Sequence, residues 1–212
     1  MPDIRLDVVD KVLVVTLDRP PVNTLLLDTY RDLATTFDAI SMRTDVNCVV
    51  FTAAGEKAFC AGLDLSAQMK GAKGSLGNMG SFDTNPGEFE IRDAPPIVLH
   101  NLDTPVVCAV NGGAAGYGLD IALGCDILVC AESTKLGDTH GQWGLAPIWG
   151  MSIRLPERVG RSTAKELMFT SRRLSGPEAA AIGLVDHCVP DAELDDYTDR
   201  LAREILANSW GT

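Results

Sequence analysis

Residues 105–126 read PVVCAVNGGAAGYGLDIALGCD. An apolar run, Pro105 to Val110, ends in Asn111-Gly112-Gly113. A small-residue stretch of helical character follows, roughly Gly116 to Gly124, and it carries one acid, Asp120. A strand that runs through a glycine-rich turn into a helix leaves the first N–H groups of that helix without partners, aimed above its N-terminus. Helical side chains lean back toward the N-terminus, so the Asp120 carboxylate is expected to face the same space. Donors beside an acid suit polarisation of a carbonyl together with transfer of a proton. A plain strand-to-helix turn, its glycines serving only close packing, fits the local pattern equally well.

The elements that must hold such a site alternate along the chain. Ile4–Val9 and Val12–Leu17 alternate as a hairpin around Asp10-Lys11. Leu27, Tyr30, Leu33, Ala34, Phe37 and Ile40 recur at helical spacing, which predicts an amphipathic helix from about Leu26 to Met42. Asn47–Thr52 and Asp126–Ala131 read as buried strands, and Val185–Val189 as another. Lys70 to Gly87 is rich in Gly, Ser and Asn and reads as a loop. Glu88 to Leu102 reads as a helix broken near Pro95-Pro96. Ser162–Thr170 and Pro177–Ile182 read as short helices, the second starting at Ser175-Gly176-Pro177. A last helix is expected from Asp191 to Asn208. Strands alternating with helices imply an α/β core.

Composition narrows the partners. The chain has 212 residues, 46% hydrophobic and 22% charged, which fits one globular core. The net charge is −11 without a basic run. Nucleic acid and an anionic membrane are therefore poor partners, and a phosphate-bearing ligand would need local donors. No stretch approaches the length of a membrane span, and the N-terminus has no signal-peptide pattern. The six cysteines form no C-x-x-C pair and lie mostly in apolar patterns. They are expected as buried thiols of a reducing, cytoplasmic compartment, and metal ligation is not expected. GGAAGYG does not match the spacing of a dinucleotide fingerprint, and no P-loop is present.

Five segments, in order, resemble the crotonase (enoyl-CoA hydratase/isomerase) superfamily. The segment from Pro105 to Asp126 resembles its signature, and Lys57-Ala58-Phe59-Cys60-Ala61-Gly62-Leu63-Asp64-Leu65 resembles its A-F-C-A-G-x-D-[LI] loop. The other three are Leu17-Asp18-Arg19-Pro20 with Asn23, Arg154-Leu155-Pro156 with Val159-Gly160, and Ala179-Ala180 through Gly183-Leu184-Val185-Asp186. The resemblance runs from about Arg5 to about Ala207. It implies an α/β fold of the ClpP/crotonase type, a spiral of ββα units over residues 1–190. Residues 191–212 would begin a C-terminal helical region; relatives usually continue with further helices, so either this protein is short or its sequence is truncated there. It also implies a homotrimer or hexamer.

The resemblance maps an oxyanion hole onto the backbone N–H groups of Leu63 and Tyr117; relatives commonly have Gly at the second position. Hydratases of this fold commonly use two glutamates across a bound water, and these positions are Asp120 and His140 here. Asp is shorter than Glu by about one bond length. Histidine ordinarily titrates near 6.5, suited to a base at neutral pH. Two arrangements stay open: Asp120 and His140 hold one water between them, or Asp120 accepts the ring N–H and orients His140 as sole base. Asp138 is a further candidate orienter, and a solvated loop is its expected place. Contacts to a CoA ester map to Arg19, Ala61, Gly62, Asp64, Leu65, Ser66 and Gly116. Lys57 is a phosphate candidate by charge, with the solvated surface as its expected place. Ile148-Trp149-Gly150-Met151 replaces most glycines of the family's G-L-x-P-G-x-G-G, which should alter the acyl pocket. Position 148 holds no acid, where some isomerases and a dehalogenase place one.

Together these features lead to an acyl-CoA enzyme that adds or removes water at a 2-enoyl thioester, with coenzyme A part of the substrate and no separate cofactor. Isomerisation of a double bond comes next, then hydrolysis. A non-catalytic acyl-CoA binder is the rival from another class.

Overall fold

The computed structural model describes residues 3–64 and 91–208. Leu65, Ser66 and the expected loop at Lys70–Gly87 lie outside the described residues. Two sheets stand side by side. The larger has six strands in the order β1-β2-β3-β5-β7-β10. Its members are β1 (Ile4–Val9), β2 (Val12–Leu17), β3 (Cys48–Ala53), β5 (Val106–Val110), β7 (Ile127–Ala131) and β10 (His187–Val189). β1 and β2 pair antiparallel, and every later pairing in this sheet is parallel. The hairpin turns at Asp10 and Lys11, both with positive φ (49° and 67°), the twist that a two-residue hairpin requires.

The central strands are almost wholly apolar because both faces are covered. Val49 and Phe51 on β3 pack into the main core. Their neighbours Cys48 and Val50 face a second core with Val107, Val129 and Ala202. Helix α1 (Leu27–Ile40) covers the first side, burying Tyr30, Leu33, Phe37 and Ile40, the stripe predicted by their spacing. Helix α7 (Leu194–Leu206) covers the other, through Leu194 and Ala202.

The second sheet has the order β4-β6-β8-β9: β4 (Ala58–Cys60), β6 (Gly113–Ala115), β8 (Lys135–Gly137) and β9 (Leu174–Ser175). Each of the first three leads directly toward a residue of the candidate site. Helix α2 (Pro95–His100) precedes β5, and α3 (Tyr117–Ala122) follows β6. Helices α4 (Met151–Val159), α5 (Arg161–Thr170) and α6 (Gly176–Ala181) complete the chain between β8 and β10. A 3-10 turn at Ile91–Asp93 is separated from α2 by extended Ala94, the break expected near Pro95-Pro96, and the prolines begin α2, where the missing N–H groups have no intrahelical partner to lose. Ser175 and Glu178 cap α6 reciprocally: Glu178 N–H donates to Ser175 Oγ, and Ser175 N–H donates to Glu178 Oε2. Among the described residues no helix is long and apolar enough to cross a membrane.

Candidate active site

The site begins with a close packing of backbone on backbone. Gly118 in α3 lies against the end of β4, and a Cβ placed on it would fall 2.0 Å from the Cys60 carbonyl oxygen. Only the missing side chain lets the start of α3 approach β4. The approach brings the two expected donor segments together: a Cβ on Gly62 would lie 3.6 Å from the Tyr117 backbone nitrogen. Among the described residues, neither the Leu63 nor the Tyr117 N–H has an acceptor. Gly116 turns the chain between them with φ +52°, and its carbonyl accepts the N–H groups of Leu119 and Asp120.

The β4 loop is tied down from the N-terminal segment. Asn23 Nδ2 donates to the carbonyls of Ala54 and Ala58, and Asn23 Oδ1 accepts Arg19 N–H. Leu25 N–H donates to Gly62 O, and Asp64 N–H donates to Leu25 O. Leu63 is thus held on both sides while its own N–H stays outside the ladder. Asn23 acts as a structural clamp on this loop.

Gly62, Leu63, Gly116, Tyr117 and His140 line one cavity, together with Trp149. The cavity measures about 50 Å³. His140 is buried at its edge, with Cε1 3.9 Å from where a Gly116 Cβ would stand. Asp138 lies beneath it, also buried rather than in the solvated loop that the sequence suggested. Asp138 Oδ1 accepts the His140 backbone N–H at 3.0 Å and lies 2.5 Å from His140 Nδ1. A short Asp side chain readily reaches the backbone two residues on, so spacing alone seats the carboxylate under the ring. With Nδ1 engaged, Nε2 is the nitrogen that can exchange a proton with a ligand.

Asp120 is placed differently from the expectation. It is fully buried in the first turn of α3, but it does not line the cavity; nor does it orient His140, a task Asp138 performs. Arg154 reaches it from α4, with Nη2 3.3 Å from Asp120 Oδ1 and 2.6 Å from the Trp149 carbonyl, to which it donates. Asp120 and Arg154 form a buried ion pair, and neither lines the cavity. Asp120 Oδ2 is buried without a hydrogen-bond partner among the described residues. Burial pushes its pKa up to about 6, against the pull of Arg154 and then of His140. Arg154 served the sequence reading only as part of a motif.

The expected CoA contacts divide. Ala61 and Thr139 stand where the cavity meets a groove of about 440 Å³. Lys57, Lys135 and Arg173 line that groove, with Glu56 the opposing charge. Lys57 is exposed, as expected, but onto the groove. Arg19 instead donates to Thr24 O and Oγ1 and lies 3.6 Å from Asp3 and 3.8 Å from Asp64. His100 lies exposed at the end of α2, and His187 packs on Tyr197 with ring centroids 5.2 Å apart.

A large, mostly parallel sheet and a small second sheet, with a helix rising from the small sheet over a glycine turn, match the crotonase fold. The sequence matches the enoyl-CoA hydratase/isomerase family over residues 8–210, and the chain belongs to that family. It is 35% identical over 206 residues to a short-chain-enoyl-CoA hydratase of Clostridium acetobutylicum, covering 94% of this chain and 73% of that protein. It is 34% identical over 197 residues to a carnitinyl-CoA dehydratase of Escherichia coli, covering 92% and 71%. Among solved structures, an enoyl-CoA hydratase from Bacillus anthracis superposes with TM-score 0.87 at 33% identity, covering 98% of this chain and 78% of that one.

Proposed function

We propose that this protein adds water to, or removes it from, a 2-enoyl-CoA thioester, with His140 moving the proton. The observation that carries this reading is the meeting, at one cavity, of His140 and the N–H groups of Leu63 and Tyr117, which have no acceptor among the described residues. A thioester oxygen between the two donors gains negative charge as water adds at the third carbon. Preorganised donors at such a charge contribute about 3–4 kcal/mol each. His140 Nε2 takes a proton from water and returns one to the second carbon. Asp138 is a positioning residue: it fixes the tautomer that leaves Nε2 able to accept. Asp120 acts through Arg154, which holds the Trp149 backbone and hence the cavity wall. The CoA phosphates run along the groove of Lys57, Lys135 and Arg173, local donors in a chain of net charge −11.

The test is incubation with 2-enoyl-CoAs of several lengths, following loss of the conjugated thioester absorbance and the gain of one water by mass. Turnover with hydrated product supports the proposal, and no hydration at any length contradicts it. The same geometry favours one second reading. A histidine held by a buried carboxylate beside two N–H donors can direct water at the thioester carbonyl instead. Release of free CoA in that assay, without hydrated product, selects hydrolysis.

A further inference from the structure

The cavity at the site has an aromatic end. Tyr117 and Trp149 meet edge to face, with ring centroids 4.9 Å apart and planes at 83°. Tyr30 from α1 backs Tyr117 at 5.4 Å. All three rings are buried. Behind them, Arg154 ties the Trp149 carbonyl to Asp120, so neither ring stands on a loose segment. The groove joins the cavity at Ala61, Ala115, Thr139 and Trp143. Tyr117 and Trp149 border the cavity but not the groove.

The distance available to an acyl chain follows from this arrangement. Tyr117 thus contributes to the cavity both the backbone N–H proposed as a donor for the thioester oxygen and the aromatic side chain that packs on Trp149. The space is about 50 Å³. An engineered core cavity of about 150 Å³ just accommodates benzene.

We infer that Tyr117 and Trp149 are specificity-determining residues that close the acyl site to groups longer than about four carbons. This rests on the hydratase reading for its site but concerns which substrates fit. Each methylene that a pocket accepts or rejects changes kcat/KM by about 10-fold or more.

The experiment measures kcat/KM for crotonyl-CoA, 2-hexenoyl-CoA and 2-octenoyl-CoA with wild type, Trp149→Ala and Trp149→Leu. In wild type, the value should fall by about 10-fold or more between four and eight carbons. Either substitution should raise the eight-carbon value relative to the four-carbon value by about 10-fold. Equal use of four and eight carbons by wild type overturns the inference while leaving the hydratase reading intact. So does a folded Trp149 variant with an unchanged length profile. Should no enoyl-CoA turn over, the hydratase reading fails and binding decides this one. Calorimetry with wild type should then give butyryl-CoA an affinity about 10-fold or more above octanoyl-CoA, and equal affinities overturn the wall. The same binding measurement decides the matter if neither variant folds.

Discussion

At the scale of single residues, the proposal rests on His140, one of whose ring nitrogens is held by Asp138. Both partners are buried, and one carboxylate oxygen takes the ring nitrogen and the backbone N–H together. Asp138→Asn can turn an amide N–H toward Nδ1 and so favour the tautomer protonated at Nε2, which accepts no proton. Its kcat should fall by about 10²-fold or more, while butyryl-CoA affinity stays within about 3-fold by calorimetry. Unchanged kcat would remove Asp138 from the account. The family resemblance pointed to His140, which lines the cavity, but the partner it implied, Asp120, is held by Arg154 and not by the histidine. The role of Asp138 was not legible, since an acid in a Gly-Asp-Thr-His run looks solvated until the fold buries it. The Asp120–Arg154 pair joins residues 34 apart in sequence, a separation that no local pattern encodes.

At the scale of elements, the donor pair depends on α3 pressing against β4. Gly118→Ala puts a methyl carbon 2.0 Å from the Cys60 carbonyl oxygen, and backbone on both sides must move. Overpacking of this kind costs about 1–3 kcal/mol or more. A lower denaturant midpoint and a lower kcat should appear together, because the displacement also parts the Leu63 and Tyr117 N–H groups. A midpoint within error of wild type would mean that α3 has room the structure does not show. Period and alternation sufficed to read the large sheet and its flanking helices: β1, β2, β3, α1 and α7 fall within a few residues of expectation. The second sheet was not legible as such. Its strands β4, β6 and β8 have three residues each, too few for an alternating pattern. Helix α4 was missed too, because Pro156 stands inside it.

At the scale of the whole molecule, charge and pH act on the site from outside it. The chain carries −11, so the proposed CoA site depends on the local positive charge of the groove. Lys135 is exposed there beside Lys57 and Arg173. Lys135→Glu should raise KM for a CoA ester by about 10-fold at low salt, less at high salt, with kcat unchanged. A KM that does not move would place the phosphates elsewhere. Asp120 links stability to pH. Its folded pKa is about 6, above the ordinary carboxylate value of 3.8. The native state therefore holds a proton that the unfolded chain has released in that window. The stability from this group is fully present below about pH 4 and is lost as pH rises through about 6. Wild-type Tm should decline across that range more steeply than the Tm of Asp120→Asn, read by calorimetric scans at matched pH. Parallel declines would mean that Asp120 titrates as an ordinary acid.

The central claim, that His140 moves the proton at a thioester held by Leu63 and Tyr117, is tested most directly by the turnover of crotonyl-CoA in His140→Ala beside wild type. The account predicts hydration by wild type and a fall of about 10²-fold or more in kcat for the variant, with butyryl-CoA still bound at near wild-type affinity. Hydration that survives in His140→Ala at wild-type kcat would contradict it.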